Sequence, residues 1–310
     1  MFEQYLGRNQ MLLIDAPLVR KGCELWLERV LGFYGEDGGV DVEIIDGQLI
    51  LNDKTADYIY NGFTPLEIEY ERGSRPLLEK AVSECTSSAM SGRDKVAAIM
   101  RRVRDNRDKG LARPHLFYGG TEEELLKRGA LMCNEVSRLF VCLCQVAGIP
   151  ARIHCAHISG HMMTEAYMDG QWGWVDPMKG VMPVKDDGSP ASAWELHCNP
   201  SILERQPRAV WDDIRTPNAL FGSDERSDAE RAYVLARARD CYFHPKEANA
   251  IGNYCVWEHG KYSYPWLIEA RDPARRDAAV RAEYLNRRKL GWPDYYFNHY
   301  LFTEKMKPLD

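Results

Sequence analysis

The sequence predicts an α+β fold, with helices on either side of three successive strands. Two observations carry this. Apolar residues recur at helical spacing in four pieces between 76 and 147. Three strand-like segments then follow one another between 151 and 176, joined by short glycine-bearing turns. The chain has 310 residues, which is two ordinary domains or one core with large additions.

In chain order, residues 1–75 read as a mixed supporting lobe. It holds a helix near 19–33 and a hairpin in which Val40 to Ile45 alternates, Asp46-Gly47 turns and Gln48 to Leu51 returns. Residues 76–190 read as the central unit. Pro76 suits the first turn of a helix ending near Cys85. Ser91-Gly92-Arg93-Asp94 opens a second helix, with Val96, Ile99, Met100 and Val103 on one face. Thr121 to Glu124 reads as a capping-box start for a third, which stops at Gly129. After the turn-rich stretch Asp186 to Pro190, residues 191–310 read as a mainly helical extension rich in aromatic residues. Ser227 to Glu230 opens one of its helices, and Asp272-Pro273 opens another that Gly291 and Pro293 end.

The formal net charge of -6 argues against nucleic acid as a partner, because phosphate binding needs a basic surface. The sequence has no secretory h-region and no run of ~18 apolar residues, so no membrane span is expected. Nine cysteines are scattered without a CxxC pair. A reduced, cytoplasmic chain is the expectation, with most cysteines acting as small buried hydrophobes.

The chemistry concentrates in residues 130–180. Cys133 opens a segment in which positions 133, 136, 137, 140, 144 and 147 fall on one stripe, as an amphipathic helix requires, and Gly148 and Pro150 stop it. Cys133 therefore falls in the first helical turn, where free N–H groups and the helix dipole stabilise a thiolate and can hold an oxyanion. Taken alone, Cys133 reads more readily as a buried core cysteine than as a nucleophile. The next segment adds partners: strands over 151–158, 161–168 and 171–176, the last two joined by Asp169-Gly170.

The register of that hairpin follows from the turn. With Asp169-Gly170 as a two-residue loop, Met168 faces Gln171, and Met163 falls opposite Asp176. His161 shares a face with Met163, so His161 and Asp176 become diagonal neighbours about 7–8 Å apart at the backbone. A one-residue error would send them to opposite faces. The set is chemically coherent. A thiol near pKa ~8.5 needs a base, an imidazole can take its proton and return it to a leaving group, and a carboxylate on the other ring nitrogen fixes the tautomer.

The sequence resembles the transglutaminase-like superfamily at these residues. Gly148-Ile149-Pro150-Ala151-Arg152 after the cysteine helix, Gly160-His161 with Glu165 four residues on, and Trp174-Val175-Asp176-Pro177 are similar to that family's core pattern. Cys133-Asn134-Glu135 and Thr164-Glu165-Ala166-Tyr167 look like the peptide N-glycanase branch. The resemblance covers about residues 80–180. It implies a papain-like α+β core, with the cysteine helix packed on an antiparallel sheet, and Cys133, His161 and Asp176 as catalytic residues. The chain departs from the family in having Leu131 two residues before the cysteine, where many members have glycine, and from peptide N-glycanases in having Asn134 where they usually have glycine and in lacking their zinc-binding CxxC pairs.

Other residues carry competing readings. Glu165 could tune the site or pair with an arginine such as Arg152 or Arg138. His154, Cys155, His157 and His161 have zinc-ligand types, yet alternation sends His154 to the opposite face from Cys155 and His157, so hydrogen-bonded strand histidines are favoured. The aromatic residues of 242–302, Tyr254 and Trp257 among them, read as core packing rather than a stacking surface. Tyr118-Gly119-Gly120 is a candidate cleft loop. The expected activity is attack of the Cys133 thiolate on an amide carbonyl of a peptide, glycopeptide or small molecule, with water resolving the thioester and no cofactor or metal required. An amine-accepting acyltransferase and a non-catalytic binding module are the alternatives.

Overall fold

A computed structural model describes residues 48–106, 121–130, 133–157, 159–207, 228–245 and 247–258. Its spine is a five-stranded antiparallel sheet of β1 (Gln48–Ile50), β2 (Ala151–Ala156), β3 (His161–Met168), β4 (Gln171–Val175) and β5 (Asn249–Gly252), in the order β1-β5-β2-β3-β4. Among the helices, α1 (Ala56–Tyr58) runs into a π turn over Ile59–Phe63, followed by α2 (Pro76–Cys85), α3 (Gly92–Asn106), α4 (Glu122–Arg128) and α5 (Cys133–Val146). Beyond the sheet's third hairpin strand come α6 (Ala193–Cys198), a 3-10 turn over Pro200–Arg205, and α7 (Asp228–Arg237), which continues as a π turn over Ala238–Tyr242.

The local signals for α2 to α5 act as read. Pro76 stands at the start of α2. Ser91 and Asp94 bond reciprocally ahead of α3, whose Val96, Ile99, Met100 and Val103 are all buried. Thr121 and Glu124 complete a capping box on α4, and Gly129 ends it at a φ of 94°, a left-handed value that favours glycine.

Strand alternation sorts the apolar residues into two clusters. Ile153, Cys155, Met162, Ala166, Met168 and Val175 face α2, α3 and α5. Leu49, Ala156, Met163, Trp174 and Ile251 face α6, the 3-10 turn and the π turn after α7. The cysteine helix thus packs on one face of an antiparallel sheet, as the α+β, papain-like expectation required.

The structure differs from the sequence reading in two places. First, α5 is not half-exposed: every residue from Asn134 to Gln145 is buried. The sheet covers one side and α2, α3 and α4 the others, so its polar residues need internal partners. Ser137 Oγ donates to the Met162 carbonyl at 3.0 Å, and Gln145 Nε2 donates to the carbonyls of Ala151 and Tyr254 at 3.0 and 2.7 Å. Second, β5 is a strand inside the extension read as mainly helical. It sits between β1 and β2 in the sheet, and four residues of Asn-Ala-Ile-Gly carry no local strand pattern. Of the hairpin read over 40–51, only Gln48–Leu51 lies within the described residues, and there β1 pairs with β5. The helices read at 19–33 and after Asp272, and the loop Tyr118-Gly119-Gly120, lie outside them. Among the described residues no helix is long and apolar enough to cross a membrane.

Candidate active site

The site is assembled by the β3–β4 hairpin and the start of α5. Asp169 and Gly170 have φ values of 55° and 82°, the pair of positive angles that a tight two-residue hairpin loop requires. The register that follows is Met168↔Gln171 through Thr164↔Val175. His161, first residue of β3, and Asp176, just past β4, are therefore diagonal neighbours. Their side chains meet: His161 Nε2 donates to Asp176 Oδ2 at 2.8 Å, an assignment fixed by the carboxylate being an acceptor only. Asp176 Oδ1 accepts from the Lys179 amide at 2.9 Å, and the turn that supplies this amide closes through Gly180 and Val181. Both carboxylate oxygens are engaged, and the aspartate is 1% exposed.

Cys133, a partly buried thiol outside any disulfide at the first position of α5, is the other hydrogen-bond partner of His161. Since Nε2 is committed to Asp176, the nitrogen that faces the thiol is Nδ1. The bond from Ser137, one turn further along α5, to the Met162 carbonyl ties this end of the helix to the start of β3. All three residues singled out from the sequence thus come together.

Electrostatics favour an ionised pair. Burial opposes charge on His161 and is the largest single influence, but the Asp176 carboxylate and the hydrogen bonds to Asp176 and Cys133 outweigh it and raise the imidazole above its ordinary pKa. Burial likewise pushes Asp176 up, and the facing imidazole with the Lys179 backbone N–H holds it below the usual carboxylate range.

Glu165 pairs with Arg152, one of the partners expected. Oε2 accepts from Arg152 Nε and Nη2 at 2.8 and 2.6 Å, and Oε1 accepts from Tyr60 Oη and the Ala193 amide at 2.8 and 2.7 Å. Arg138 pairs instead with Glu122, at 2.9 Å. The strand histidines are hydrogen-bonded as read. Trp174 Nε1 donates to His154 Nδ1 at 2.9 Å, so His154 carries its proton on Nε2 and donates to Asn249 Oδ1 at 2.8 Å. His157 Nε2 meets Gln48 Oε1 at 2.8 Å. Among the described residues no group of three or more His, Cys, Asp or Glu side chains converges as a metal would need.

Two features escaped sequence reading. Tyr242 lies against the His161 ring, with centroids 4.6 Å apart. A buried clasp forms around Glu122, which accepts from Arg75, Arg138 and Tyr254. Arg75 also reaches the Val256 carbonyl at 2.7 Å. The clasp fixes α4 against α5 and against the segment that follows β5. Neither carries a local signal, since the partners lie 16 to 132 residues apart.

Residues 79–177, from α2 to the proline after Asp176, match the family model of the transglutaminase-like superfamily. No curated protein and no solved structure gives a significant match to the chain. Residues 79–177 are therefore a transglutaminase-like domain, a helix-and-antiparallel-sheet core of that superfamily.

Proposed function

We propose that the protein is a cysteine-dependent acyl-transfer enzyme that hydrolyses an amide bond, with Cys133 as nucleophile, His161 as general base and acid, and Asp176 as the orienter of His161. The observation that carries the reading is the shared imidazole: one ring nitrogen bonded to a buried carboxylate, the other to a thiol at a helix N-terminus. His161 takes the thiol proton, and the thiolate attacks the amide carbonyl carbon. The C–N bond then breaks as the imidazolium passes its proton to the leaving amine, giving a thioester on Cys133. Water, deprotonated by His161, attacks the thioester, and the thiol leaves with its proton restored. Asp176 supports the imidazolium in both halves of the cycle. The substrate class is an amide-bearing peptide, glycopeptide or small molecule.

The test is the rate of iodoacetamide labelling at Cys133 against pH, resolved by mass spectrometry, in the wild type and in His161→Ala. An activated pair gives a labelling pKa well below ~8.5 that rises in the variant. An ordinary thiol profile, the same in both proteins, would reject the catalytic reading in favour of a binding module. With an activated pair established, an amide panel run with and without a primary amine separates hydrolysis from amine transfer.

A further inference from the structure

Tyr242 ends the π turn that continues α7. Its ring covers the His161 imidazole, with the planes 32° from parallel, and it is 2% exposed. The residue is held from two sides. Its phenol oxygen accepts from the buried Arg237 Nε at 2.9 Å. The next residue, Phe243, stacks on His154 at 5.7 Å and meets Trp174 edge-on at 5.2 Å, which ties this turn to the sheet.

The outer torsion of a histidine side chain is soft, and hydrogen bonds at the two ring nitrogens leave the faces of the ring uncovered. Asp176 secures Nε2 but leaves the ring face open. Tyr242 closes that face with an apolar wall, and an aromatic face attracts a cation laid over it. We propose that Tyr242 is a positioning residue for His161, holding the ring with Nδ1 toward Cys133, keeping water from the His161–Asp176 hydrogen bond and favouring the imidazolium through its π face. This rests on the acyl-transfer reading of the site.

Titratable groups approach this contact from several elements. Cys133 comes from α5, Asp176 from the turn after β4 and His154 from β2, while Arg237 and Cys241 act on Tyr242 from its own segment. The aromatic face and the Asp176 charge favour the imidazolium; the Arg237 guanidinium opposes it, and His154, held neutral by burial, adds no charge.

The experiment is the Cys133 iodoacetamide profile from about pH 5 to about pH 9 in the wild type and in Tyr242→Phe, Tyr242→Leu and His161→Ala, with melting temperatures to establish folding. Phenylalanine keeps the ring and loses the Arg237 bond; leucine keeps apolar volume and loses the π face. The leucine variant is expected to label about tenfold more slowly near pH 6 while converging with the wild type where all thiols ionise. The phenylalanine variant should stay within about threefold of the wild type. A purely structural role would lower the melting temperature without changing the shape of the profile. A wild-type profile in the leucine variant, or a phenylalanine variant as slow as leucine, would overturn the proposal. If His161→Ala also leaves the profile unchanged, the Cys–His pair itself fails, an outcome distinct from failure of the tyrosine contact alone.

Discussion

Glu165→Gln is an isosteric change that separates the two roles open to this carboxylate. Glu165 and Arg152 are both 0% exposed, and the carboxylate accepts four hydrogen bonds, two from Arg152, one from Tyr60 and one from the Ala193 amide. Glutamine has one oxygen, so an NH2 group must face donors whichever way it turns. With its oxygen toward Arg152, the Tyr60 hydroxyl can rotate and accept, but the Ala193 N–H is stranded. The guanidinium also loses its counter-charge while remaining enclosed between the Trp172 and Tyr60 rings, at 4.0 and 4.7 Å from their centroids. Breaking a buried pair costs about 3–5 kcal/mol, and an orphaned amide about 1–3 kcal/mol. A loss of at least ~3 kcal/mol moves a urea midpoint by about 1 M or more, read by tryptophan fluorescence. Below that midpoint the Cys133 labelling profile should match the wild type, because Glu165 bonds to none of the three site residues. A midpoint shift under about 0.3 M would refute the argument that this pair holds the fold. A shifted profile with an unchanged midpoint would return Glu165 to a role in the site.

Three further outcomes follow from the same contacts. Burial holds His154 at a pKa of about 4, below its unfolded value of ~6.5, so the unfolded chain binds the proton first. Stability is therefore full above pH ~6.5 and falls by about 3 kcal/mol as pH drops to ~4, a slope that urea titrations should find reduced in His154→Gln. His161 has the opposite sign: its raised pKa contributes stability below ~6.5 that is lost as pH rises through the folded value. Asp176→Asn removes the charge that raises His161, and Cys133 labelling near pH 6 should fall at least about tenfold; an unchanged rate would exclude the carboxylate as the orienter. Gly173→Ala would put a Cβ 2.5 Å from Met168 Cε and 2.6 Å from Pro190 Cβ. The methionine can swing away but the proline ring cannot, so a loss of about 1–3 kcal/mol is expected in thermal melts.

What was legible in the sequence was whatever short-range chemistry decides. Asp169-Gly170 dictates its own turn, the turn dictates parity, and parity brings His161 to Asp176. Thr121 and Glu124 cap a helix from three residues apart. By contrast, the placement of β5 between β1 and β2 rests on pairing between residues up to 204 apart, as Gln48↔Gly252 shows, and in Asn249–Gly252 only Ile251 favours a strand. The burial of α5 was hidden for a related reason. The apolar stripe accounts for only one side of α5, whereas the partners that allow Arg138 and Gln145 to be buried, Glu122, Tyr254 and the 151 and 254 carbonyls, come from other elements. Tyr242 was one aromatic residue among many, and only the fold lays it on His161.

The dependence of the site on hairpin parity can be tested by moving single residues. A glycine inserted between Asp169 and Gly170 leaves two options: the loop grows to three residues, or β4 slips by one. Slipping would turn Trp174, fully buried and bonded to His154 and to the Ala191 carbonyl, toward the opposite face. The opposite face is already filled by Met162, Ala166, Met168 and Val175, and forcing so large a side chain into a packed core costs about 1–3 kcal/mol or more, against a fraction of that for one more loop residue. The loop therefore absorbs the insertion as a bulged turn, His161 keeps Asp176, and fast labelling of Cys133 near pH ~6 survives. A glycine inserted between Val175 and Asp176 leaves Trp174 and the register of β4 alone, but advances the carboxylate by one position and reverses its side of the strand. Labelling near pH ~6 should then drop to the level of Asp176→Asn. Equal profiles in the two insertions would mean that strand parity is not what joins His161 to Asp176.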